Sequence, residues 1–376
     1  MFSIFKTFFL LGCYSFGGPA AHIGYFREHF VTKKAWLSEE EFAQYVALSQ
    51  FLPGPGSSQV GFSIGYKRRG LAGACAAFLG FTLPSVLALL VFASLGAQFI
   101  GTDSYQAIIH GLKLLAVVVV ADAALGMYRN FCQSKLTVGL CVLTALVLLC
   151  LPSVTSQILV LVFSAFIGAF SLTEPRKITE SRFQANTFPL VLFLVLLLAL
   201  PILPLQWPLL HLFNDFFQAG SLVFGGGHVV LPLLQNLVGE QLGQDAFLAG
   251  YAAAQAVPGP MFTLATYFGY VISDTPVIGA LVATLAVFLP GFLLLLGVLK
   301  NWQSLANKPK VAGALRGVNA AVVGLLIAAL YQPVFSSAVM SAMDMALILV
   351  GLYLLKQMKL SVLWVILFFV LTALFL

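Results

Sequence analysis

Continuously apolar runs of about 20 residues, the length a helix needs to cross a bilayer, recur from one end of this chain to the other. The runs are unbroken and do not alternate in and out, so they read as helices and not as the strands of a barrel. Of 376 residues, 60% are hydrophobic and 9% charged. A soluble domain of this size carries about a quarter charged residues, so this chain cannot cover itself with a polar surface. The expected class is an all-α polytopic membrane protein. The first apolar run leads straight into Phe16-Gly17-Gly18-Pro19, with no separate cleavage region, and no cleavable signal peptide is expected. The net charge of +6 sits in short loops, where Lys and Arg set topology; it does not point to nucleic acid. The five cysteines form no CxxC pair and read as small buried hydrophobes, and neither a cofactor nor a metal is expected.

The chain repeats itself. Phe16-Gly17-Gly18 with His22 resembles Phe224-Gly225-Gly226 with His228, and Gln50 to Pro55 matches Gln255 to Pro260. Gly65-Tyr66 matches Gly269-Tyr270, Pro84 matches Pro290, and Gly111 matches Gly317, all at an offset of about 204 to 208 residues. We therefore expect an N-terminal repeat over 1–172 and a C-terminal repeat over 209–376. Between them, 173–208 supplies a polar linker and one connecting helix. Basic clusters at Lys67-Arg68-Arg69, Arg129 with Lys135, Arg176-Lys177 with Arg182, Lys300 with Lys308 and Lys310, and Lys356 with Lys359 mark one face as cytoplasmic. On that assignment the span at 71–99 starts inside and its counterpart at 277–299 starts outside, so the repeats are inverted, as in many secondary transporters. Each repeat also has two stretches interrupted by Gly and Pro. If these dip in and return, Lys33 and Lys34 stay inside, and the chain has nine full spans and four re-entrant segments; if they cross, it has thirteen spans.

The interruptions are the sharpest chemical feature. Pro53-Gly54-Pro55-Gly56 and Pro258-Gly259-Pro260 must each end one helical piece and start another. The backbone groups so freed cannot face lipid and must be buried in protein or line a polar cavity. A helix starting there directs free N–H groups and a partial positive charge into that cavity, which is an anion site needing no Lys or Arg. Gln50 and Gln255 stand just ahead of the two breaks. Gly17-Gly18-Pro19 and Gly225-Gly226-Gly227 fit the same picture, since Gly lets backbone approach a ligand or another helix closely. His22 and His228 are candidate hydrogen-bond donors or proton acceptors beside it. Lys113 and Asp122 are ionisable residues inside an apolar span and so functional suspects, Asp122 for proton coupling; its second-repeat equivalent is Ala328. Arg27, Arg316 and Asn319 are further candidates for the anion path, although anchoring to the inner face explains such bases equally well.

In order along the chain, Phe16-Gly17-Gly18-Pro19 with His22, Trp36-Leu37 leading to Glu41-Phe42, Leu48-Ser49-Gln50-Phe51-Leu52-Pro53-Gly54-Pro55, Gly65-Tyr66 with Arg69-Gly70, and Leu83-Pro84-Ser85 resemble the chromate ion transporter family. The second half repeats the string more loosely, as in the family's two-domain form, and lacks counterparts of Trp36 and Glu41. The resemblance implies export of chromate from a prokaryotic cytoplasm through the cell membrane, driven by the electrochemical gradient. An inside-negative potential does push a dianion outward, by about 2.3 kcal/mol per charge per 100 mV. Chromate and sulfate are near-isosteric tetrahedral dianions, so a sulfate or other oxyanion carrier, including proton-coupled uptake, stays open, as does a channel. So does the oligomeric state, a homodimer included; lipid is the other expected partner. Neither HExxH nor paired intramembrane aspartates occur, so no enzymatic activity is expected.

Overall fold

The computed structural model describes residues 1–16, 18–99, 102–173, 186–203, 207–224, 229–300, 302 and 308–375. Among them the regular structure is helical throughout, with no strand. The first repeat contains α1 (Phe2–Tyr14), α2 (Gly18–Phe26), α3 (Glu39–Phe51), α4 (Gly56–Phe99), α5 (Asp103–Phe131), α6 (Lys135–Cys150) and α7 (Val154–Ser171). A connecting helix, α8 (Thr187–Ala199), leads to α9 (Pro208–Leu222), α10 (Val230–Leu242), α11 (Gln244–Ala256) and α12 (Leu264–Ile272). The chain continues through α13 (Pro276–Val298), α14 (Pro309–Ala329), α15 (Ala342–Lys356) and α16 (Val362–Phe375).

By length and composition, four stretches suffice to cross a membrane: Gly56–Gly96, Gln106–Phe131, Pro276–Val298 and Pro309–Ala338. Several other expected spans are shorter than a full crossing, α6 at 16 residues and α16 at 14. The outer surface is apolar. On α7, Leu159, Val162, Phe163, Phe166 and Phe170 are all exposed, and their spacing makes one helical stripe. Such a face is stable only against lipid, and the protein is a multi-pass membrane protein.

α4 is two helices in one. Its backbone leaves the helical region at Arg69 and Gly70, and the chain turns back on itself, so that Gly65 meets the Gly73 carbonyl and Ala77. The second repeat does the same with separate helices, α12 and α13, where Gly269 meets Gly279 and Ala283. Other contacts recur in pairs. A Cβ on Gly12 of α1 would stand 2.6 Å from the Phe81 carbonyl and 3.1 Å from Pro84. Gly220 of α9 meets Val287 and Pro290 in the same way. Gly111 of α5 rests on Phe369 of α16, as Gly317 of α14 rests on Ser164 of α7. Small residues let these helices approach at backbone distance, where dispersion and packing replace the hydrophobic drive that lipid removes.

Three contacts bring the two ends of the broken stretch of the first repeat together. Glu41 in the first turn of α3 pairs with Lys67, Arg68 lies 4.9 Å from the Trp36 ring, and Arg27 forks onto Glu39. The start of α3 and the end of the first half of α4 therefore share one face. α3 is fixed there by a capping box between Ser38 and Glu41. In the second repeat, Pro208, His211 and Asp215 of α9 border one cavity of about 230 Å³ with Gln241 of α10 and with Ser273 and Asp274 beyond α12.

The seam glycines give a direct test. Gly65→Ala puts a methyl against the Gly73 carbonyl and should cost about 1–3 kcal/mol of stability as overpacking. Gly126→Ala, where nothing lies within 4 Å, should be neutral or stabilising by about 0.5–1 kcal/mol. Melting of the detergent-solubilised variants reads both; equal melting temperatures would refute the close seam.

Candidate functional site

The interruptions of the two repeats meet. Leu52 leaves the helical region at the end of α3, Pro53 and Pro55 flank Gly54, and the Gly54 N–H donates to the Val223 carbonyl at 2.7 Å. Val223 is the residue that closes α9, immediately before Phe224-Gly225-Gly226. The mirror contact is present: the Gly259 N–H donates at 2.9 Å to the carbonyl of Ser15, which closes α1 before Phe16 and Gly17. Gly54 and Gly259 have φ of +115° and +110°, a region that side-chain-bearing residues rarely adopt. Neither has room for a methyl: a Cβ on Gly54 would lie 3.0 Å from the Gly291 Cα, and one on Gly259 would lie 2.7 Å from Ser85 Oγ.

His22 is fully buried. Its Nε2 lies 3.0 Å from the Ser15 carbonyl and its Nδ1 3.1 Å from Ser57 Oγ. A carbonyl only accepts, so Nε2 carries a proton and donates it, while Nδ1 shares a hydrogen bond with the Ser57 hydroxyl. The ring stands edge-on to Phe81 at 5.2 Å. His22 thus ties three pieces together: the end of α1, α2 and the first turn of α4. At the offset that relates Ser15 to Val223, the second-repeat position is the buried Val230; at the offset that relates Pro84 to Pro290 it is His228.

After the break, α4 opens with Gly56-Ser57-Ser58-Gln59. Ser57, Ser58 and Gln59 are all buried. The Gln59 N–H bonds the Pro55 carbonyl at 2.9 Å, and the three N–H groups before it have no carbonyl a turn behind them to bond. Gln59 Nε2 donates to the Pro53 carbonyl at 2.9 Å and to the Gly291 carbonyl at 3.2 Å, joining the repeats. Its Oε1 has no partner among the described residues, and neither have Ser58 Oγ and Ser15 Oγ. Buried polar atoms left unpaired cost about 1–3 kcal/mol each and call for a ligand or water. Ser57, Ser58 and Gln59 belong to none of the repeated motifs; their sequence signal is four small or polar residues in a row just beyond Pro55. The second repeat is not polar here: Phe262, Thr263 and Leu264 stand in the places of Ser57, Ser58 and Gln59, and Thr263 Oγ1 bonds the Pro260 carbonyl at 2.7 Å.

Pro53, Pro55, Gly56, Pro258 and Pro260 frame the crossing just described, and Phe16, Gly18 and Pro19 adjoin it. Gln50 is exposed, whereas Gln255 is half-buried with Nε2 3.4 Å from Met261 Sδ. Gly17, Gly225, Gly226, Gly227 and His228 lie outside the described residues. Arg27 is exposed and paired with Glu39 at the base of the hairpins, not at the breaks. Beside it, Lys33 holds the exposed Glu28 carboxyl below its ordinary range. Lys113 is buried and paired with Asp245, and Asp122 is paired with Lys356. Arg316 and Asn319 border a separate cavity of about 520 Å³.

The family model described as chromate transporter matches residues 2–169 and again 210–374. An uncharacterized transporter of Methanocaldococcus jannaschii, MJ0718, is 30% identical over 337 residues, covering 87% of this chain and 82% of its own. A probable chromate transport protein of Synechococcus elongatus is 28% identical over 86% of this chain and 82% of its own. The chromate transport protein of Cupriavidus metallidurans is 28% identical over 86% and 80%. No solved structure matches the chain. These relatives are transporters and not enzymes, and the present chain belongs to the chromate transporter family.

Proposed function

We propose that this protein exports chromate across the cytoplasmic membrane by alternating exposure of one site, built where the four re-entrant segments cross. One observation carries the reading: the α4 first turn, with its free N–H groups and the Ser15 and Ser58 hydroxyls that have no partner among the described residues, sits buried at the cross-bonded breaks. Buried N–H and O–H donors in an apolar surrounding can stabilise a dianion without a fixed cation. Phe16 to Pro19 and His22, the two Pro-Gly-Pro breaks with Gln50 and Gln255, and Gly225 to His228 complete the proposed site.

The basic loops place the Lys67 and Arg129 ends in the cytoplasm. α5 starts at the opposite face, and there its buried Lys113 meets Asp245 in the first turn of α11. α11 is the counterpart of α3, whose first turn lies beside Lys67. This supports inverted repeats over 1–172 and 209–376, joined through 173–208, and the version with nine spans and four re-entrant segments. Because Lys356 neutralises Asp122, we assign the drive to the membrane potential and not to protonation of Asp122.

Everted vesicles energised by an inside-positive potassium diffusion potential, with no pH gradient, should accumulate chromate, and sulfate should compete. Sulfate uptake with no chromate uptake would exclude chromate as cargo, and a strict requirement for a pH gradient would return Asp122 to the coupling role. Ser58→Ala should lower chromate uptake about tenfold, the loss of one hydrogen bond to a charged ligand at about 1.5 kcal/mol, with no fall in melting temperature. Undiminished uptake would remove the α4 first turn from the site.

A further inference from the structure

Trp36 belongs to the string that the second repeat lacks, and the proposed transport site does not use it. Ala35 before it takes φ of +46°, a region uncommon for a residue with a side chain. The turn so made lets the Trp36 N–H donate to the Phe30 carbonyl at 2.8 Å and stacks the indole on the Phe30 ring, centroids 5.1 Å apart. Two cations approach the ring held in this way: Lys34 Nζ lies 5.3 Å and the Arg68 guanidinium 4.9 Å from its centroid. An aromatic face attracts each cation, but two cations at one ring repel each other. The acids of this face are committed elsewhere: Glu28 to Lys33, Glu39 to Arg27 and Glu41 to Lys67. Lys34, Arg68 and the adjoining Arg69 are exposed, and none has an acid partner among the described residues, Glu40 included. The cluster therefore carries uncompensated positive charge around a rigidly held indole.

It also stands where polar surface gives way to apolar surface. Arg69 and Gly70 form the turn at which α4 reverses. Just beyond that turn Leu71, Cys75 and Leu79 are exposed, and their spacing of four residues lines them up as one apolar stripe. A guanidinium fits two phosphate oxygens at once, an ammonium adds a point charge, and an indole settles at the level of lipid headgroups. Cations and stripe together fit a molecule with an anionic phosphodiester head and apolar tails. A free inorganic anion would engage the cations and leave the stripe unused. The corresponding turn of the second repeat reads Val271-Ile272-Ser273-Asp274 and carries no base, so only one face of the protein has this arrangement.

We propose that Lys34, Trp36, Arg68 and Arg69 hold the headgroup of an anionic phospholipid, with its acyl chains along Leu71, Cys75 and Leu79. The inference requires a multi-pass membrane protein and is independent of the cargo. Lys34 and Trp36 precede α3, whereas Arg68 and Arg69 end the first half of α4. A lipid held between them braces the two ends of the broken stretch from outside, at the face where Glu41 and Lys67 brace them from within the chain.

Trp36 is made the sole tryptophan by Trp207→Phe, Trp302→Phe and Trp364→Phe, and the protein is placed in phosphatidylcholine vesicles. Brominated phosphatidylglycerol should half-quench its fluorescence at a mole fraction about tenfold below that needed of brominated phosphatidylcholine, the scale of a few basic residues at an anionic surface. Arg68→Gln should cut that preference about fivefold, and adding Lys34→Gln should abolish it. Arg68→Lys should keep most of it. Equal quenching by the two lipids, or a preference that survives Arg68→Gln with Lys34→Gln, overturns the proposal. Inorganic phosphate at constant ionic strength should leave the preference intact; its loss would assign the cations to a free anion and overturn the lipid site. The unaltered chain covers the case in which the triple tryptophan variant fails to fold. It should melt higher in detergent micelles doped with phosphatidylglycerol than in micelles doped with phosphatidylcholine, by a margin that Arg68→Gln removes. Equal melting in both, or a margin that Arg68→Gln leaves unchanged, overturns the proposal.

Discussion

A backbone N–H or carbonyl buried in an apolar environment must find a partner, and in this fold four chain breaks bring such groups to the centre of the molecule. Each repeat supplies half of the answer to the other. Gly54 donates to Val223, and Gly259 donates to Ser15. Everything near the centre follows from those two bonds. They require φ near +110° at both glycines, which excludes a side chain. They bring Gly291 and Ser85 against the glycines so closely that no methyl fits. They also fix where α4 begins, and hence where its unbonded first turn points. A water-filled groove would need none of this, since solvent would satisfy the same groups.

Away from the centre, polar pairs among the described residues join distant parts of the chain: Lys113 with Asp245 and Asp122 with Lys356 as ion pairs, and His110 hydrogen-bonded to Asp344. Removing one member of a buried pair is costly because the other stays behind uncompensated. These pairs clamp α5 against α11 and α15. They hold the helices that frame the mouths, while the cross-bonded breaks hold the middle.

Much of this was legible in the chain. The apolar runs dictated helices, and the break itself announced a buried backbone turn; the inverted halves proposed above are read from the basic loops and from the offset between Pro53-Gly54-Pro55 and Pro258-Gly259-Pro260. The partners of single side chains were not legible. The sequence spacing of Lys113 and Asp122 shows that they do not face each other, but the acids and bases that meet them lie more than a hundred residues away. Arg27 sits next to the first break in sequence, yet the chain has already returned to the surface by then, and Glu39 takes it up. His22 invites a reading as a free titratable group, whereas in the fold both ring nitrogens bond Ser15 and Ser57. The Ser57-Ser58-Gln59 run is not legible from the internal repeat because only one half carries it.

The exchange of bonds between the breaks also bears on ancestry. A protein consisting of the first half alone would leave the Gly54 N–H and the Ser15 carbonyl without the partners that the second half provides. Two copies of that half, inserted in opposite senses, would satisfy both. The family model matches each half separately, and the polar first turn is present in only one of them.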